Sequence, residues 1–401
     1  MRFLSTLCSI TGKIDAHGGG IVQRGDTFYW VGQSASSNQT PMMYSSTDLL
    51  NWKNLGKQAP SVTLEAKDCK AEWLYGQQDR YVLSLKSTQQ VGGYSTVNKV
   101  HLPPSDYSYS DTGMFYDEAS TTWYLLTSAD HNTVQINKIN SDGTVGARAS
   151  TLTGGAYEAP GIFYAGGVYF LIVSGKTGWR SNPNKVFTAT SLSGPWTGGS
   201  NIAPASEKTY NSQNTFVLTV KGSQQTTYIY MGDSWDSKGS TGSNYVWLPM
   251  VVNPSAKTVT LQYHAMWKVD VKTGVVSYPT TKKRYEISDV LVSRKSGSST
   301  EGHKIKVGEE MAFHNVTGTG ARQWLSLHFT VNNPDAGRAH IIVNDEVQPV
   351  NISDLNHRAG YHGVVPVQLD LKRGDVNTIH FSASGSSDFE VSVDGIELYE
   401  E

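Results

Sequence analysis

The chain has little charge: 17% of its 401 residues are Asp, Glu, Lys or Arg, where about 25% is usual for soluble domains. Its formal net charge is -2, and the densest basic run is the short Lys282-Lys283-Arg284. Nucleic acid and anionic membrane surfaces both need a concentrated basic face, so neither is expected as a partner. Cysteine is scarce too. Cys8 and Cys69 are the two present, which allows one disulfide but excludes a disulfide scaffold. No apolar run approaches the roughly 20 residues of a membrane span, and runs with helical periodicity are nearly absent. The opening Met1-Arg2-Phe3-Leu4-Ser5-Thr6-Leu7-Cys8 begins like a secretory signal, but its apolar core is short and it lacks a convincing cleavage site.

Gly (39), Tyr (21) and Trp (10) are plentiful, with Ser, Thr, Asn and Gln filling the charge deficit. That composition is typical of extracellular β-proteins, and the sequons at Asn38, Asn315 and Asn351 agree with secretion. An extracellular monomer is the expectation. Flat aromatic faces suit a particular ligand, because they stack on the C–H faces of sugar rings.

One phrase recurs five times: a Gly or polar turn, a short aromatic and β-branched run, then a small residue. Its copies are Gly25–Gly32, Asp79–Ser84, Thr122–Ser128, Gly166–Ser174 and Thr226–Asp233. The spacing of roughly 40–55 residues is that of a β-propeller blade. The fold class read from this is all-β, a five-bladed β-propeller over residues 1–280. Trp52 and Trp196 close two outer-strand echoes and are expected to pack between blades. After the polar seam Val276–Arg284 the texture changes to alternating short strands, such as Trp324–Val331 and Val391–Leu398. Residues 281–401 therefore read as a β-sandwich.

Leading strands of a propeller face a common axis, and four of them begin with polar segments: Asp15-Ala16-His17-Gly18-Gly19-Gly20, Asp111-Thr112-Gly113, Tyr157-Glu158-Ala159-Pro160-Gly161 and Asn211-Ser212-Gln213-Asn214. Equivalent positions in successive blades converge. A carboxylate pair there is what glycosidic cleavage requires, one acid with a raised pKa and a partner that tunes it or activates water. His17 reads as a hydrogen-bonded brace rather than a metal ligand, since no second His or Cys lies at ligand spacing.

These segments resemble glycoside hydrolase family 43, a five-bladed propeller family, and within it the exo-β-1,3-galactanase branch. The resemblance runs over about residues 10–275. It is carried by Ala16–Ile21, Glu158–Ile162, Ser174–Trp179 with Asn182–Lys185, Tyr210–Phe216, Tyr230–Trp235 and Tyr245–Pro249. It implies Glu158 as catalytic acid, Asp111 as the carboxylate that orients it, and Gln213 as the group holding the attacking water. An inverting reaction needs room for that water, about 6.5–9.5 Å between acid and base. A neutral amide has little proton affinity, so Asp15 is a candidate for assisting as base, or else a turn or sugar contact. Substrate contacts are expected from His17, Gln33, Trp179, Asn211, Asp233 and Trp235.

Two features depart from the branch. Its Glu-Arg-Pro-Lys stretch corresponds here to Asp68–Tyr75, with Asp68 or Glu72 as imperfect substitutes, and its Gly-Glu corresponds to Gly32-Gln33. The resulting expectation is an exo-acting glycosidase on β-1,3-galactan that needs no cofactor for catalysis. Arabinofuranosyl or xylosyl substrates, or a glycan-binding propeller without catalysis, stay open. The C-terminal part resembles a family 35 carbohydrate-binding module, on Tyr285-Glu286, Gly374–Ile379 and Val393–Ile396. That likeness implies a structural calcium at Glu286 and Asp394.

Overall fold

A computed structural model of the chain describes residues 8–9, 12–36, 39–59, 67–70, 73–78, 81–89, 91–100, 108–129, 132–235, 243–286, 304–332, 337–350, 361–385 and 389–400. The segment 1–7, the side chains of Cys8, Asp68 and Cys69, residue Glu72 and the sequons at Asn38 and Asn351 lie outside the described residues.

The fold is all-β, with five four-stranded antiparallel sheets in the first 261 residues. Their leading strands are His17–Arg24, Lys67–Lys70, Tyr109–Asp117, Tyr157–Ala165 and Gln213–Lys221. Each sheet is a meander in chain order. In the first, third, fourth and fifth sheets the repeated phrase forms the second strand: Thr27–Gln33, Thr122–Ala129, Val168–Gly175 and Thr226–Ser234. The second sheet differs. There the copy Tyr81–Lys86 is third in line, because the short strand Lys67–Lys70 adds to the edge of Trp73–Gln78.

These second strands read as unbroken apolar runs because both of their faces are buried. Side chains alternate across a strand, so Phe170 and Ile172 enter one core while Leu171 and Val173 enter the next. One apolar cluster joins each neighbouring pair of sheets: first to second through Val31, Leu74 and Leu85, second to third through Tyr75 and Leu125, third to fourth through Leu126 and Leu171. Phe170 and Leu248 join fourth to fifth. Another cluster, with Trp30, Trp52, Tyr245 and Trp247, joins the fifth sheet back to the first. Trp52 is buried as expected, and Trp196 bonds through its indole N–H to Ser150 of the neighbouring sheet at 3.0 Å. The leading strands touch in the same cyclic order.

Beyond residue 280, two antiparallel sheets share one core. Thr281–Glu286, Glu390–Tyr399, Arg322–Val331 and Tyr361–Asp370 form one, with Lys304–Lys306 on its edge; Glu310–Gly318, Gly374–Gly385, Gly337–Val343 and Glu346–Val350 form the other. Leu325, Leu327 and Phe329 point inward against Phe313 and Phe381, leaving Ser326 and His328 on the outer face. Met266, Trp324 and Tyr399 pack together where this part meets the five sheets, and the Tyr263 hydroxyl donates to the Val364 carbonyl at 3.2 Å.

Trp247 is 3% exposed, and its ring centroid lies 4.8 Å from that of Trp30. Truncating a buried Trp costs about 3–5 kcal/mol, so Trp247→Ala is expected to lower the denaturant midpoint by that equivalent. An unchanged midpoint would show that the cluster between first and fifth sheets contributes little.

Candidate active site

Four leading strands carry a bulge beside their polar residues. The register shifts between His17 and Gly20, Tyr109 and Thr112, Glu158 and Gly161, and Asn214 and Phe216. A bulge inserts an extra residue and re-aims the side chains next to it. At Glu158 the device is visible in the backbone, because Ala159 sits at φ 54, a left-handed conformation that costs a non-glycine residue about 1–2 kcal/mol. It turns the Ala159 N–H onto Asp111 Oδ2 at 2.9 Å and offers the Ala159 carbonyl to Asn214 Nδ2 at 3.0 Å. Close approach supports it: a Cβ on Gly113 would lie 2.5 Å from the Pro160 carbonyl oxygen.

The strands converge on a narrow cavity whose lining includes Gly18, Asp111, Ala159, Gln213, Asn214 and Trp235. Glu158 adjoins this lining next to Ala159 and against Gln213, with 7% of its surface exposed. Its Oε1 accepts a hydrogen bond from Gln213 Nε2 at 2.7 Å, and Gln213 Oε1 accepts one from the Trp235 indole N–H at 2.9 Å. Burial, then the negative Asp111, pushes the Glu158 carboxyl up to about 8, against the opposing bond from Gln213. Burial raises Asp111 as well, opposed by the Ala159 N–H and by Lys176. Two carboxyls this close and this dry do not both ionise near neutral pH. The Ala159 N–H and Lys176 favour the charged form of Asp111, whereas at Glu158 both burial and the neighbouring charge favour the protonated form. A raised carboxyl beside a second acid is an arrangement suited to proton donation.

Residues 15–246, more than half of the chain, match the sequence model of glycosyl hydrolases family 43. The chain belongs to that family. It is a glycosidase acting on carbohydrate. No curated protein matches the chain in sequence. Among solved structures it is similar to an exo-β-1,3-galactanase from Phanerochaete chrysosporium solved with galactose. That match has 28% identity and a TM-score of 0.81, and covers 100% of each chain. It is also similar in fold to an exo-β-1,3-galactanase from Clostridium thermocellum, at 21% identity and a TM-score of 0.63, covering 98% of this chain and 99% of that one.

Within the family 43 region, Glu158, Asp111, Gln213 and Trp235 come together as expected, but with one difference. Gln213 touches the acid directly instead of facing it across a gap with room for water, because Gln213 and Glu158 begin adjacent leading strands and the carboxyl offers the amide its nearest acceptor. Asp15 is corrected. The hydroxyls of Ser34 and Ser36 and the N–H groups of Ala35 and Ser36 donate to its carboxylate. Burial pushes Asp15 up, yet these bonds outweigh it and hold the carboxyl below its usual range. A carboxylate so satisfied anchors a turn and makes a poor base.

Three residues expected as sugar contacts are buried against protein partners. Asp233 is 1% exposed; its carboxylate takes the His17 ring nitrogen at 2.9 Å and the Gly18 N–H. His17 is equally buried and stacks on Tyr245 with centroids 4.5 Å apart, which suits a brace. Asn211 is fully enclosed, accepting from Ser181 and Ser234. Gln33 pairs across from His17 and is buried, with no protein partner at Oε1. Trp179 is 43% exposed, its ring 5.2 Å from that of Trp235, which fits a sugar platform. Trp247 packs between sheets. Asn214 was not anticipated as a site residue, although its place beside Gln213 in the same polar run pointed to it.

In the C-terminal part, Glu286 pairs with Arg284, and Asp394 accepts from Thr330 Oγ1 at 3.2 Å. Among the described residues no group of three or more His, Cys, Asp or Glu gathers.

The raised Glu158 pKa has a signed consequence for stability. Its folded value, about 8, lies above the ordinary 4.5, so the folded state holds more protons than the unfolded state between those values. Stability therefore falls as pH rises through that window. The thermal midpoint is expected to decline from about pH 4.5 to about pH 8, and Glu158→Gln should flatten the decline; an unaltered slope in that variant would contradict the assignment. In Asp111→Asn, loss of the neighbouring negative charge should move the alkaline limb of the activity profile to lower pH.

Proposed function

We propose that this family 43 glycosidase is an inverting exo-enzyme that releases galactose from β-1,3-galactan. In this reading the five sheets are the blades of a propeller, residues 1–280, and residues 281–401 are a β-sandwich that binds carbohydrate. The observation that carries the chemistry is the buried Glu158 carboxyl, raised to about 8 beside Asp111 and bonded to Gln213. The choice of galactan is supported by the exo-β-1,3-galactanase relative at 28% identity, solved with galactose and, as a variant, with β-1,3-galactotriose.

Glu158 gives its proton to the glycosidic oxygen as the carbon–oxygen bond breaks, and positive charge spreads over the sugar carbon and ring oxygen. Water attacks from the opposite face in a single displacement, which inverts the configuration. The amide oxygen of Gln213 has two lone pairs, one of them used by Trp235. The other holds the water, on the oxygen end of the amide and not between Gln213 and Glu158. Once bonded to so electrophilic a carbon, the water is an oxonium that loses its proton readily to solvent, so a neutral amide suffices where other sites use a carboxylate. The Ala159 N–H and Lys176 favour the ionised form of Asp111 against the opposing effect of burial. Its charge keeps Glu158 protonated until the leaving oxygen needs the proton.

Incubation with β-1,3-galactan is expected to liberate galactose of inverted anomeric configuration. Glu158→Gln should reduce the rate by about 10²–10⁴-fold or more; activity retained in that variant would remove Glu158 from the role of acid. The neutral Gln33, at the position matching an acid of the galactanase branch, weakens the assignment to galactose and leaves arabinofuranosyl or xylosyl substrates as a second reading. Chromogenic glycosides separate the two, because a pentoside hydrolysed faster than the galactoside would overturn the galactan reading.

A further inference from the structure

An amide side chain has two ends of similar shape and opposite hydrogen-bonding character, and Gln213 needs each end in one place. Its nitrogen meets Glu158 Oε1 at 2.7 Å, while its oxygen meets the Trp235 indole nitrogen at 2.9 Å. The indole N–H can only donate. A Gln213 flipped by 180° would set its NH2 against that N–H, donor against donor. Trp235 is itself held in place: it is 7% exposed, tilted against His17 at 5.3 Å and edge-on to Trp179 at 5.2 Å. His17 in turn is fixed by Asp233 and Tyr245.

We propose that Trp235 is a positioning residue whose indole N–H sets the orientation of the Gln213 amide, and through it both the water-holding oxygen and the oxygen of Glu158 that carries the proton. The chain of donors runs one way. Trp235 donates to Gln213, Gln213 donates to Glu158 Oε1, and Oε1 is therefore the accepting oxygen, which leaves the acid proton on Oε2. Without the indole N–H the amide turns freely. In the flipped state its carbonyl accepts the Glu158 proton, holding it back from the leaving oxygen, and its NH2 occupies the place where a lone pair should hold water. A single lost donor thus disturbs both the acid and the water. This role rests on the hydrolase reading of the site and is separate from any stacking of Trp235 on a sugar.

The test uses the full chain with Trp235→Phe, which retains a ring but no donor, Gln213→Leu, and the double variant. Trp235→Phe is expected to lose about a hundredfold in kcat, the scale of a misplaced reacting group, with KM changed less than about threefold. The carboxyl carbon of Glu158, followed by NMR in 13C-Glu-labelled protein, should titrate at higher pH, because the N–H that favours its ionised form is gone. In the double variant, neither effect should exceed that of Gln213→Leu alone. Wild-type kcat and titration in Trp235→Phe would overturn the proposal. So would a rise in KM alone, or effects that add in the double variant. Should Trp235→Phe fail to fold, the wild-type indole N–H resonance remains a check: it should exchange slowly with solvent, and fast in Gln213→Leu. Equal exchange in both would refute the contact. The titration and exchange readings need no substrate, so a wild type inactive on every glycoside would end the hydrolase reading while leaving the positioning role still measurable.

Discussion

The carboxylate of Asp233 lies between the last of the five sheets and the first, and the site depends on where it pulls them together. It belongs to the second strand of the fifth sheet, yet both its oxygens are used by the leading strand of the first, at the His17 ring and the Gly18 N–H. A buried carboxylate without partners is expensive, whereas one that accepts two hydrogen bonds is well satisfied. The contact therefore forms in one geometry only. Around it Trp30, Tyr245 and Trp247 supply the apolar area that holds the two sheets, some two hundred residues apart in sequence, against each other. His17, once fixed, packs against Trp235, and Trp235 reaches Gln213. The order at the catalytic centre is inherited from this junction.

A second constraint is electrostatic. Burying Glu158 and Asp111 together opposes the ionisation of both, and the backbone has been bent to accommodate them. The bulge at Glu158 and the left-handed Ala159 are locally unfavourable, but they aim one N–H at Asp111 and one carbonyl at Asn214. Strain of this kind persists where surrounding packing over-determines it. The result is a Glu158 carboxyl whose proton affinity is set by environment and not by residue type.

Much of this was readable from the chain. The recurring aromatic phrase marks second strands because a strand buried on both faces must be apolar at every position, and four of its five copies take that place. The polar starts of leading strands marked Glu158, Asp111 and Gln213 because nothing apolar was needed where strands meet an open cavity. In the second sheet the phrase lies third in line, since strand position depends on pairing partners and not on local pattern. Asp15, Asn211 and Asp233 were read as catalytic or sugar contacts because acids and amides near a site look alike in sequence, whether they face a ligand or a neighbouring backbone.

The sequence by itself determined the all-β class, the fivefold repeat, family 43 membership and which side chains could move a proton. Only the tertiary structure decided which of them do structural work instead. Hydrogen-bond partners such as Ser34 for Asp15, Ser181 for Asn211 and Gly18 for Asp233 come together through sheet packing across long separations in the chain. The same holds for the Glu158 proton, whose affinity comes from burial and a neighbour 47 residues away in sequence, Asp111, and neither is a property of glutamate alone.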